Sequence, residues 1–173
     1  MSKIDTIYIM GVSGCGKSTV GSALATKLNR PFKDGDYFHS ESNIEKMRAG
    51  VPLTDLDRLP WLKTINSFAI SNPGHVIACS ALKKSYRSVL CEHISVIDQC
   101  GAVFILLNLK REVLLQRVTS RPGHFMPSSL LDSQLSTLEM PNQNEYNVVV
   151  IDGNSENVDN IVNSIIDALK KFQ

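Results

Sequence analysis

The chain has 173 residues, of which 18 are basic and 17 acidic, giving a formal net charge of +1. This length allows one α/β domain with its core and leaves little room for a second. The near balance of charge excludes a dominant electrostatic attraction to nucleic acid or to a membrane surface, because both need concentrated positive charge. A small charged ligand needs only a local cluster of charged residues, so that kind of partner stays open.

The cysteines and the N-terminal segment indicate a reducing, aqueous environment. The four cysteines show neither Cys-x-x-Cys spacing nor histidine pairs of the zinc type, so we predict free thiols rather than a metal site or disulfides. The N-terminus lacks the pattern of a signal peptide, and no stretch approaches the roughly 18 to 20 apolar residues that span a membrane. We therefore expect a cytoplasmic protein with no membrane partner and no nucleic-acid partner.

Residues 11–19, Gly-Val-Ser-Gly-Cys-Gly-Lys-Ser-Thr, match the phosphate-loop pattern of glycine, four residues and Gly-Lys-Ser. A β-rich run over 4–10 precedes the motif and a helical pattern over 17–29 follows it, which is the context that the motif requires. The glycines let the backbone wrap around an anion, while amide N–H groups and the helix dipole attract it. Lys17 can reach the β- and γ-phosphates, and the hydroxyl of Ser18 can bind Mg²⁺.

The predicted nucleotide-binding residues of this loop are Gly11, Val12, Ser13, Gly14, Cys15, Gly16, Lys17, Ser18 and Thr19. The alternative is a glycine-rich turn without a ligand.

Asp34 and Asp36 lie two residues apart at the end of a predicted second strand. Side chains at that spacing share one side of an extended backbone, so one carboxylate can hold Mg²⁺ while the other meets a substrate hydroxyl. An ordinary Asp-Gly turn is the alternative. The third strand, 75–79, ends without the acidic residue that holds Mg²⁺ in many phosphate-loop proteins, which makes Asp34 the best candidate for that role.

Two helices are predicted between the second and third strands. They cover 40–50 and 57–71, and Pro60 is tolerated in the latter only if it falls in the first turn. After the third strand, Ser80 is predicted to open a helix that carries three cations: Lys83, Lys84 and Arg87. Basic residues at a helix start oppose the helix dipole, a cost that an anionic ligand could offset, although a solvated surface is the alternative.

The remaining segments continue the alternation of strands and helices. Strands are predicted over 102–109 and 147–151, and helices over 110–120, 128–138 and 155–171. This alternation predicts an α/β fold, with a five-stranded parallel sheet flanked by helices and right-handed crossovers, in one domain spanning 1–173.

Arg117 and Arg121 lie four residues apart near the end of the 110–120 helix and therefore point to one side. The sequence Pro-Gly-His-Phe-Met-Pro at 122–127 then ends the helix. Two arginines beside such a loop are typical of a lid that closes over phosphates, and we place this lid at about 117–138. The alternative is that both arginines only complement the helix dipole.

A set of segments carries a family resemblance. They are 11–18, 34–39 (Asp-Gly-Asp-Tyr-Phe-His), 43–47 (Asn-Ile-Glu-Lys-Met), 52–62 (Pro-Leu-Thr-Asp-Leu-Asp-Arg-Leu-Pro-Trp-Leu), 79–87 (Cys-Ser-Ala-Leu-Lys-Lys-Ser-Tyr-Arg), 123–125 (Gly-His-Phe) and 138–141 (Leu-Glu-Met-Pro). With these segments the chain resembles the gluconokinases, small P-loop kinases related in fold to shikimate kinase and the nucleoside monophosphate kinases. The phosphate loop alone is generic, but 34–39, 52–62 and 79–87 together are highly specific.

The resemblance implies a P-loop NTPase fold with a helical substrate-binding insertion at about 40–71. It implies transfer of the γ-phosphoryl group of ATP to the 6-hydroxyl of D-gluconate, giving 6-phospho-D-gluconate and ADP for carbohydrate catabolism through the pentose phosphate or Entner–Doudoroff route. It also implies Mg²⁺ and a homodimer. In this scheme Lys17 and the loop amides hold the phosphates, Ser18 and Asp34 hold Mg²⁺, and Asp36 orients the attacking hydroxyl and accepts its proton.

The same resemblance places Arg117 near the adenine and Arg121 at the transferring phosphoryl group, and the Asp152-Gly153-Asn154 turn is a further candidate for contacting the adenine. The candidates for binding the gluconate carboxylate are Arg58, Lys83 and Arg87. Arg58 is favoured because the related shikimate kinases use an arginine at the start of the equivalent insertion. His39 and His124 are candidates for contacting the polyol or a phosphate.

Two other functions stay open at this stage. The first is the same chemistry on another sugar acid or polyol, because kinases for several small hydroxyl acceptors share this fold and loop. The second is a nucleotide-dependent switch that hydrolyses ATP slowly, whose ATP turnover would be indifferent to any sugar acid.

Overall fold

A computed structural model describes residues 4–94, 101–120 and 127–172 of the chain. Its strands are β1 (Thr6–Met10), β2 (Phe32–Asp34), β3 (Val76–Ala78), β4 (Ala102–Asn108) and β5 (Val148–Asp152). Its α-helices are α1 (Lys17–Lys27), α2 (Glu41–Arg48), α3 (Asp55–Ser71), α4 (Lys84–Cys91), α5 (Arg111–Thr119), α6 (Ser128–Thr137) and α7 (Val158–Leu169). Short 3-10 helices cover Gly35–Phe38 and Lys170–Phe172.

The five strands form one parallel sheet in the order β2-β3-β1-β4-β5. The predicted α/β class and five-stranded parallel sheet are therefore confirmed. Every residue of β1 is buried, as is all of β4 except its last residue, because the sheet is covered on both faces. The rings of Tyr8 and Phe104 stack at 4.8 Å across these two strands, which ties the central pair together.

The carboxyl ends of three neighbouring strands meet at one edge of the sheet. In the register, Ala78 of β3 pairs with Ile9 of β1 on one side and with Asp34 of β2 on the other. The phosphate-loop segment follows β1, and the Asp34–Asp36 turn follows β2. Parallel pairing thus brings these two motifs together at the edge where open α/β sheets bind ligands.

The structure corrects the predicted position of Pro60. Helix α3 begins at Asp55 because Thr54 caps it: the Thr54 hydroxyl accepts the N–H of Asp57 (3.2 Å), and the Asp57 carboxylate accepts the N–H of Thr54 (2.9 Å). Pro60 is therefore the sixth helical residue and lies beyond the first turn, so that prediction was wrong. It removes the N–H that would bond the carbonyl of Leu56, a residue that is exposed to water.

The structure also corrects the start of the helix after β3. Ala81 has a φ of 44°, a left-handed conformation that no helix interior accommodates, so α4 begins at Lys84 and not at Ser80. Lys83 precedes the first helical residue with extended backbone angles. Two of the predicted cations, Lys83 and Lys84, are therefore held where a loop becomes a helix.

The segments predicted as insertion and lid contain helices at the expected places. The 40–71 segment contains α2 and α3, and the 117–138 segment contains the end of α5 and all of α6. Arg121 and His124 lie outside the described residues. Among the helices in the described ranges, none is both long and apolar enough to cross a membrane.

Candidate active site

The phosphate loop is anchored at both ends. The N–H of Gly11 donates to the carbonyl of Ser80 (3.2 Å), which joins the start of the loop to the end of β3. Gly16, at φ 95°, turns the chain into α1 in a conformation that favours glycine. A Cβ atom on Gly14 would lie 2.7 Å from Cγ1 of Val118, so the loop packs too closely on α5 for any side chain there.

Lys17 folds back over this loop. Its Nζ donates to the carbonyl oxygens of Gly11 and Val12, both at 3.0 Å. The ammonium group therefore lies within the curve of the loop, beside the amides at the start of α1. This arrangement concentrates positive charge where the pattern predicts nucleotide phosphates.

Ser18 and Asp34, the two predicted metal ligands, are in direct contact. The Ser18 hydroxyl donates to Oδ2 of Asp34 at 2.5 Å, while Oδ1 of Asp34 accepts the N–H of Asp36 at 3.0 Å. In the ranges that the structure describes, no three His, Cys, Asp or Glu side chains cluster closely enough to hold a metal ion. The Ser18–Asp34 pair fits Mg²⁺, which takes oxygen ligands and usually completes its shell with water and substrate phosphates.

Asp36 and His39 have opposite exposures. The Asp36 side chain is 79% exposed, whereas that of His39 is 4% exposed and stacks on Trp61 with ring centroids 4.1 Å apart. Asn43 Nδ2 donates to the backbone carbonyl of Asp57 (3.0 Å) and faces Nδ1 of His39 (3.3 Å). Because the Asp57 carbonyl can only accept, it fixes the orientation of the amide, and Nδ1 of His39 must be the acceptor.

The imidazole proton of His39 is therefore on Nε2, which faces Oδ1 of Asp36 at 3.7 Å. Burial lowers the pKa of His39, and the Asp36 carboxylate acts in the opposite direction. A side chain so buried is poorly placed for the predicted contact with a polyol. We therefore assign His39 a positioning role beside Asp36 in the function proposed below.

Arg58 and Lys83, from different elements, meet around the ring of Tyr86. Arg58 Nη1 donates to the Tyr86 hydroxyl (3.2 Å), and that hydroxyl donates in a short hydrogen bond to Oδ1 of Asp55. Lys83 Nζ donates to both carboxylate oxygens of Asp55, at 3.0 and 3.2 Å. Two of the three predicted carboxylate ligands are thus brought together, with Asp55 as their internal counter-ion.

The ionisation of this cluster follows from its hydrogen bonds. Those from Tyr86 and then Lys83 lower the pKa of Asp55. Burial, and then donation to Asp55, raises the pKa of Tyr86, while the carboxylate raises the pKa of Lys83. The cluster therefore holds two cations and one anion at neutral pH, a net charge that suits a monoanionic ligand.

Arg87, the third predicted carboxylate ligand, has a different partner. Its guanidinium donates to both oxygens of Glu145 (2.7 and 3.0 Å) and to the backbone carbonyls of Ala81 and Leu82 (3.2 and 3.4 Å). The side chain is only 3% exposed. Arg87 is therefore a structural residue that shapes the loop before α4, and we leave it out of the proposed gluconate contacts.

Glu145→Ala is expected to destabilise the fold by about 3 kcal/mol at neutral pH, because it leaves the buried charge of Arg87 without its partner. Arg87 holds the pKa of Glu145 below its ordinary value. The contribution is therefore fully present above the unfolded-state pKa of about 4.3 and is lost as the pH falls through the lower, folded-state pKa.

Urea unfolding of wild type and variant from pH 7 to pH 3 measures this difference in unfolding free energy. Asp132→Ala, which breaks the half-exposed ion pair with Arg111, is the matched control and should cost less than about 1 kcal/mol. Equal effects of the two substitutions at pH 7 would contradict the structural role of the Arg87–Glu145 pair.

Arg117 connects the phosphate loop with the loop after β5. Its Nη1 donates to the carbonyl of Cys15 (3.5 Å), and its Nη2 donates to the carbonyls of Gly153 and Ser155 (both 3.4 Å). Asn154, from the same loop, accepts the N–H of Lys110 at the start of α5. The residues predicted to surround the adenine, Arg117 and the Asp152–Asn154 turn, are therefore neighbours.

A cavity of about 380 Å³ lies apart from the phosphate loop. It is lined by Phe38, Ser40, Ser42, Asn43, Leu56, Asp57, Pro60, Trp61 and Thr64. None of its lining residues belongs to 11–19, so the cavity is not the phosphate site. Lys46 and then Thr54 hold the pKa of Asp57 at about 2, so its wall carries a negative charge.

Sequence reasoning missed Asp55 and Tyr86 as members of the cation cluster. Asp55 lies three residues before Arg58, a spacing that indicates a shared face only once α3 is known to begin at Asp55. Tyr86 had no such signal, because Lys83 precedes α4 and is not part of it. The meeting of the two pairs had no local signal, because it depends on how α3 packs against α4.

Taken with the phosphate loop at the carboxyl edge of the parallel sheet, this geometry defines a P-loop kinase. The family model for shikimate kinase matches residues 13–170, most of the chain. The fold also matches that of the crystallised shikimate kinase from Bacteroides thetaiotaomicron, with a TM-score of 0.69 over 96% of this chain and 98% of that one, although only 18% of the aligned residues are identical.

Closer similarity narrows the assignment. The "probable gluconokinase" of Dictyostelium discoideum is 46% identical, over 95% of this chain and 86% of that protein. The thermoresistant gluconokinase of Escherichia coli K12 is 41% identical, over 95% of this chain and 94% of that protein. A crystallised gluconokinase from Sinorhizobium meliloti 1021 superimposes with a TM-score of 0.87 and 43% identity, over 97% of this chain and 93% of that one. The chain belongs to the gluconokinase family.

Proposed function

We propose that this enzyme phosphorylates D-gluconate at its 6-hydroxyl, with ATP as donor. The observation that carries the proposal is the meeting of three parts at one sheet edge: the phosphate loop after β1, the Asp34–Asp36 turn after β2, and the segment after β3 that supplies Lys83. A donor site and an acceptor site for phosphoryl transfer must adjoin in this way.

In this proposal the phosphate loop holds the nucleotide. Lys17 neutralises charge on the β- and γ-phosphates, while loop amides and the N-terminus of α1 bind phosphate oxygens. Arg117 lies beside the adenine, in keeping with its contacts to both the phosphate loop and the loop after β5. Ser18 and Asp34 would hold Mg²⁺, which would offset the negative charge of the phosphates.

The acceptor hydroxyl attacks the γ-phosphorus, forming a new O–P bond as the bond to the β–γ bridging oxygen of ATP breaks. The Asp36 carboxylate orients this hydroxyl and takes its proton. The Asp36 side chain is exposed and accessible to a substrate. His39 beside it is buried, stacks on Trp61 and is hydrogen-bonded to Asn43. The family resemblance adds Arg121 for the transferring phosphoryl group and His124 for the polyol or a phosphate, and both lie outside the described residues.

At the other end of the substrate, the gluconate carboxylate binds Arg58 and Lys83. Carboxylates favour guanidinium and ammonium partners, and charge-assisted hydrogen bonds to them are about twice as strong as neutral ones. Tyr86 fixes the position of Arg58, and Asp55 keeps the net charge of the cluster suited to one carboxylate. This pairing favours a sugar acid over a neutral sugar.

A coupled ADP-release assay tests the function directly. The panel is MgATP with D-gluconate, glucose, shikimate, glycerate, AMP or no acceptor. Saturable turnover with gluconate and not with the others is expected. Equal slow hydrolysis in every tube would contradict the proposal and favour a nucleotide-dependent switch, and preference for glycerate would keep the chemistry but change the acceptor.

A cytoplasmic location and a homodimer are part of the same proposal. The homodimer rests on resemblance to the gluconokinases, and the location rests on the cysteine pattern described above. Sedimentation velocity of the purified enzyme tests the assembly, since a dimer of this 19.1 kDa chain separates clearly from the monomer.

Arg58→Ala is expected to raise KM for gluconate about 30-fold, since one charge-assisted contact to the carboxylate is lost, and to leave KM for ATP within about twofold. Steady-state kinetics with each substrate varied in turn measures both constants. Arg48→Ala, at an exposed position in the last turn of α2, is the matched control. A change confined to KM for ATP would show that Arg58 serves the nucleotide instead.

A further inference from the structure

Gln134, on α6, makes two reciprocal hydrogen bonds with the phosphate loop. The backbone N–H of Ser13 donates to Oε1 of Gln134 at 2.7 Å, and Nε2 of Gln134 donates to the hydroxyl of Ser13 at 3.2 Å. The partners are 121 residues apart in the chain. A helix of the predicted lid is thus bonded directly to the loop expected to hold the nucleotide.

The same helix is also bonded on the acceptor side. Just beyond its end, Glu139 accepts the N–H of Lys84 on its carboxylate (2.7 Å) and donates its own N–H to the carbonyl of Leu82 (2.8 Å). These contacts flank Lys83, one of the two proposed ligands of the substrate carboxylate. The segment from Gln134 to Glu139 therefore touches both halves of the candidate site.

The amide of Gln134 satisfies both polar groups of Ser13 at once. Its oxygen accepts the Ser13 N–H, and its NH₂ group donates to the Ser13 hydroxyl. Since the N–H of Ser13 is bonded to Gln134, it does not point into the loop to bind phosphate. Ser13 was predicted as a nucleotide-binding residue. Its contacts indicate that it anchors the phosphate loop to α6.

We propose that Gln134 is a positioning residue that holds the phosphate loop in its nucleotide-binding conformation. The physical basis is preorganisation. A loop fixed before binding loses less conformational freedom when the nucleotide arrives, so more of the contact energy appears as affinity. The inference rests on the nucleotide-binding part of the proposed function and not on the identity of the acceptor.

The test is MgADP affinity, measured by isothermal titration calorimetry without any sugar acid. Gln134→Ala should raise the dissociation constant about tenfold, because both hydrogen bonds to Ser13 are lost. Gln134→Met should raise it about as much, because methionine keeps the length of the side chain but cannot donate and accepts only weakly. Gln116→Ala, the same change at an exposed position of α5, should bind like wild type.

Ser13→Ala separates positioning from general stability. It removes the hydroxyl but keeps the N–H, so its effect should be smaller than that of Gln134→Ala, and the two should combine to less than their sum in a double-mutant cycle. In turnover, Gln134→Ala should raise KM for ATP and leave KM for gluconate unchanged, a split that a merely destabilised enzyme would not show.

Wild-type MgADP affinity in Gln134→Ala, an equal loss in Gln116→Ala, or strict additivity with Ser13→Ala would overturn the proposal. If the alanine variant fails to fold, Gln134→Met, which fills more of the space of the side chain, supplies the same comparison. Because the readout is nucleotide binding alone, an enzyme that ignored gluconate would leave this test intact.

Discussion

The Asp36→Asn variant is expected to lose about 10³-fold in kcat for gluconate phosphorylation, within the range for removal of a general base. Asparagine matches the shape of aspartate but cannot accept the proton of the attacking hydroxyl at neutral pH. MgADP affinity should stay within about twofold of wild type, because the loss falls on the transition state and not on nucleotide binding. Coupled ADP release and calorimetric titration with MgADP measure the two quantities.

The surroundings of Asp36 make this substitution interpretable. Its side chain is largely exposed, and its backbone N–H, which bonds Asp34, is unchanged by the mutation. Asp159→Asn, at an exposed position in the first turn of α7, is the matched control and should be fully active. Normal turnover by Asp36→Asn would remove Asp36 as the base and leave positioning and charge stabilisation to account for the rate.

Lys17→Met is expected to lower kcat/KM for ATP by about 10³-fold, since it removes the ammonium group that folds back over the phosphate loop. Methionine keeps much of the aliphatic length of lysine, so the variant should fold. The two hydrogen bonds from Nζ to the carbonyls of Gly11 and Val12 are lost. Those carbonyls lie where a ligand is expected to bind, so water can replace the ammonium group as their hydrogen-bond donor. The expected loss of folding free energy is therefore modest.

Lys27→Met is the matched control for this experiment. It makes the same substitution at the other end of α1, where Lys27 is exposed and bonds only the side chain of Asn163 among its described contacts. Steady-state kinetics with ATP varied at saturating gluconate gives the comparison, and circular dichroism verifies the fold. If Lys17→Met and Lys27→Met had equal kcat/KM for ATP, residues 11–19 would be a glycine-rich turn and not a nucleotide site.

The parts of the site that could be predicted are those set by neighbours in the chain. The phosphate-loop pattern needs only local glycines, Lys17 and Ser18 between a strand and a helix, and the structure has β1 and α1 in those places. Asp34 and Ser18 could also be paired in advance. Once the strands are parallel, the carboxyl ends of β1 and β2 must lie at the same edge of the sheet. The short loops that follow these strands then leave little choice in where Ser18 and Asp34 can lie.

Two of the differences between expectation and structure concern side chains whose contacts are set by a residue far away in the sequence. Arg87 and Lys83 have similar local sequence contexts. The Arg87 guanidinium, however, pairs with Glu145, 58 residues away, and is therefore not available to a substrate. Pro60 was misplaced because Thr54 and Asp57 start α3 earlier than its apolar stripe suggests. His39 was predicted as a candidate for contacting the polyol or a phosphate, but its side chain is buried against Trp61.

The sequence by itself determined the alternation of strands and helices, the phosphate loop and the carboxylate turn, since periodicity, glycine conformations and capping act over a few residues. Only the tertiary structure decided which charged side chains remain available to a substrate and which serve the fold. It also brought Gln134 to Ser13, a contact with no local signal at either end. The physical reason is that burial and pairing of polar groups depend on how whole elements pack, and a single long-range partner reverses the role that a residue's local pattern suggests.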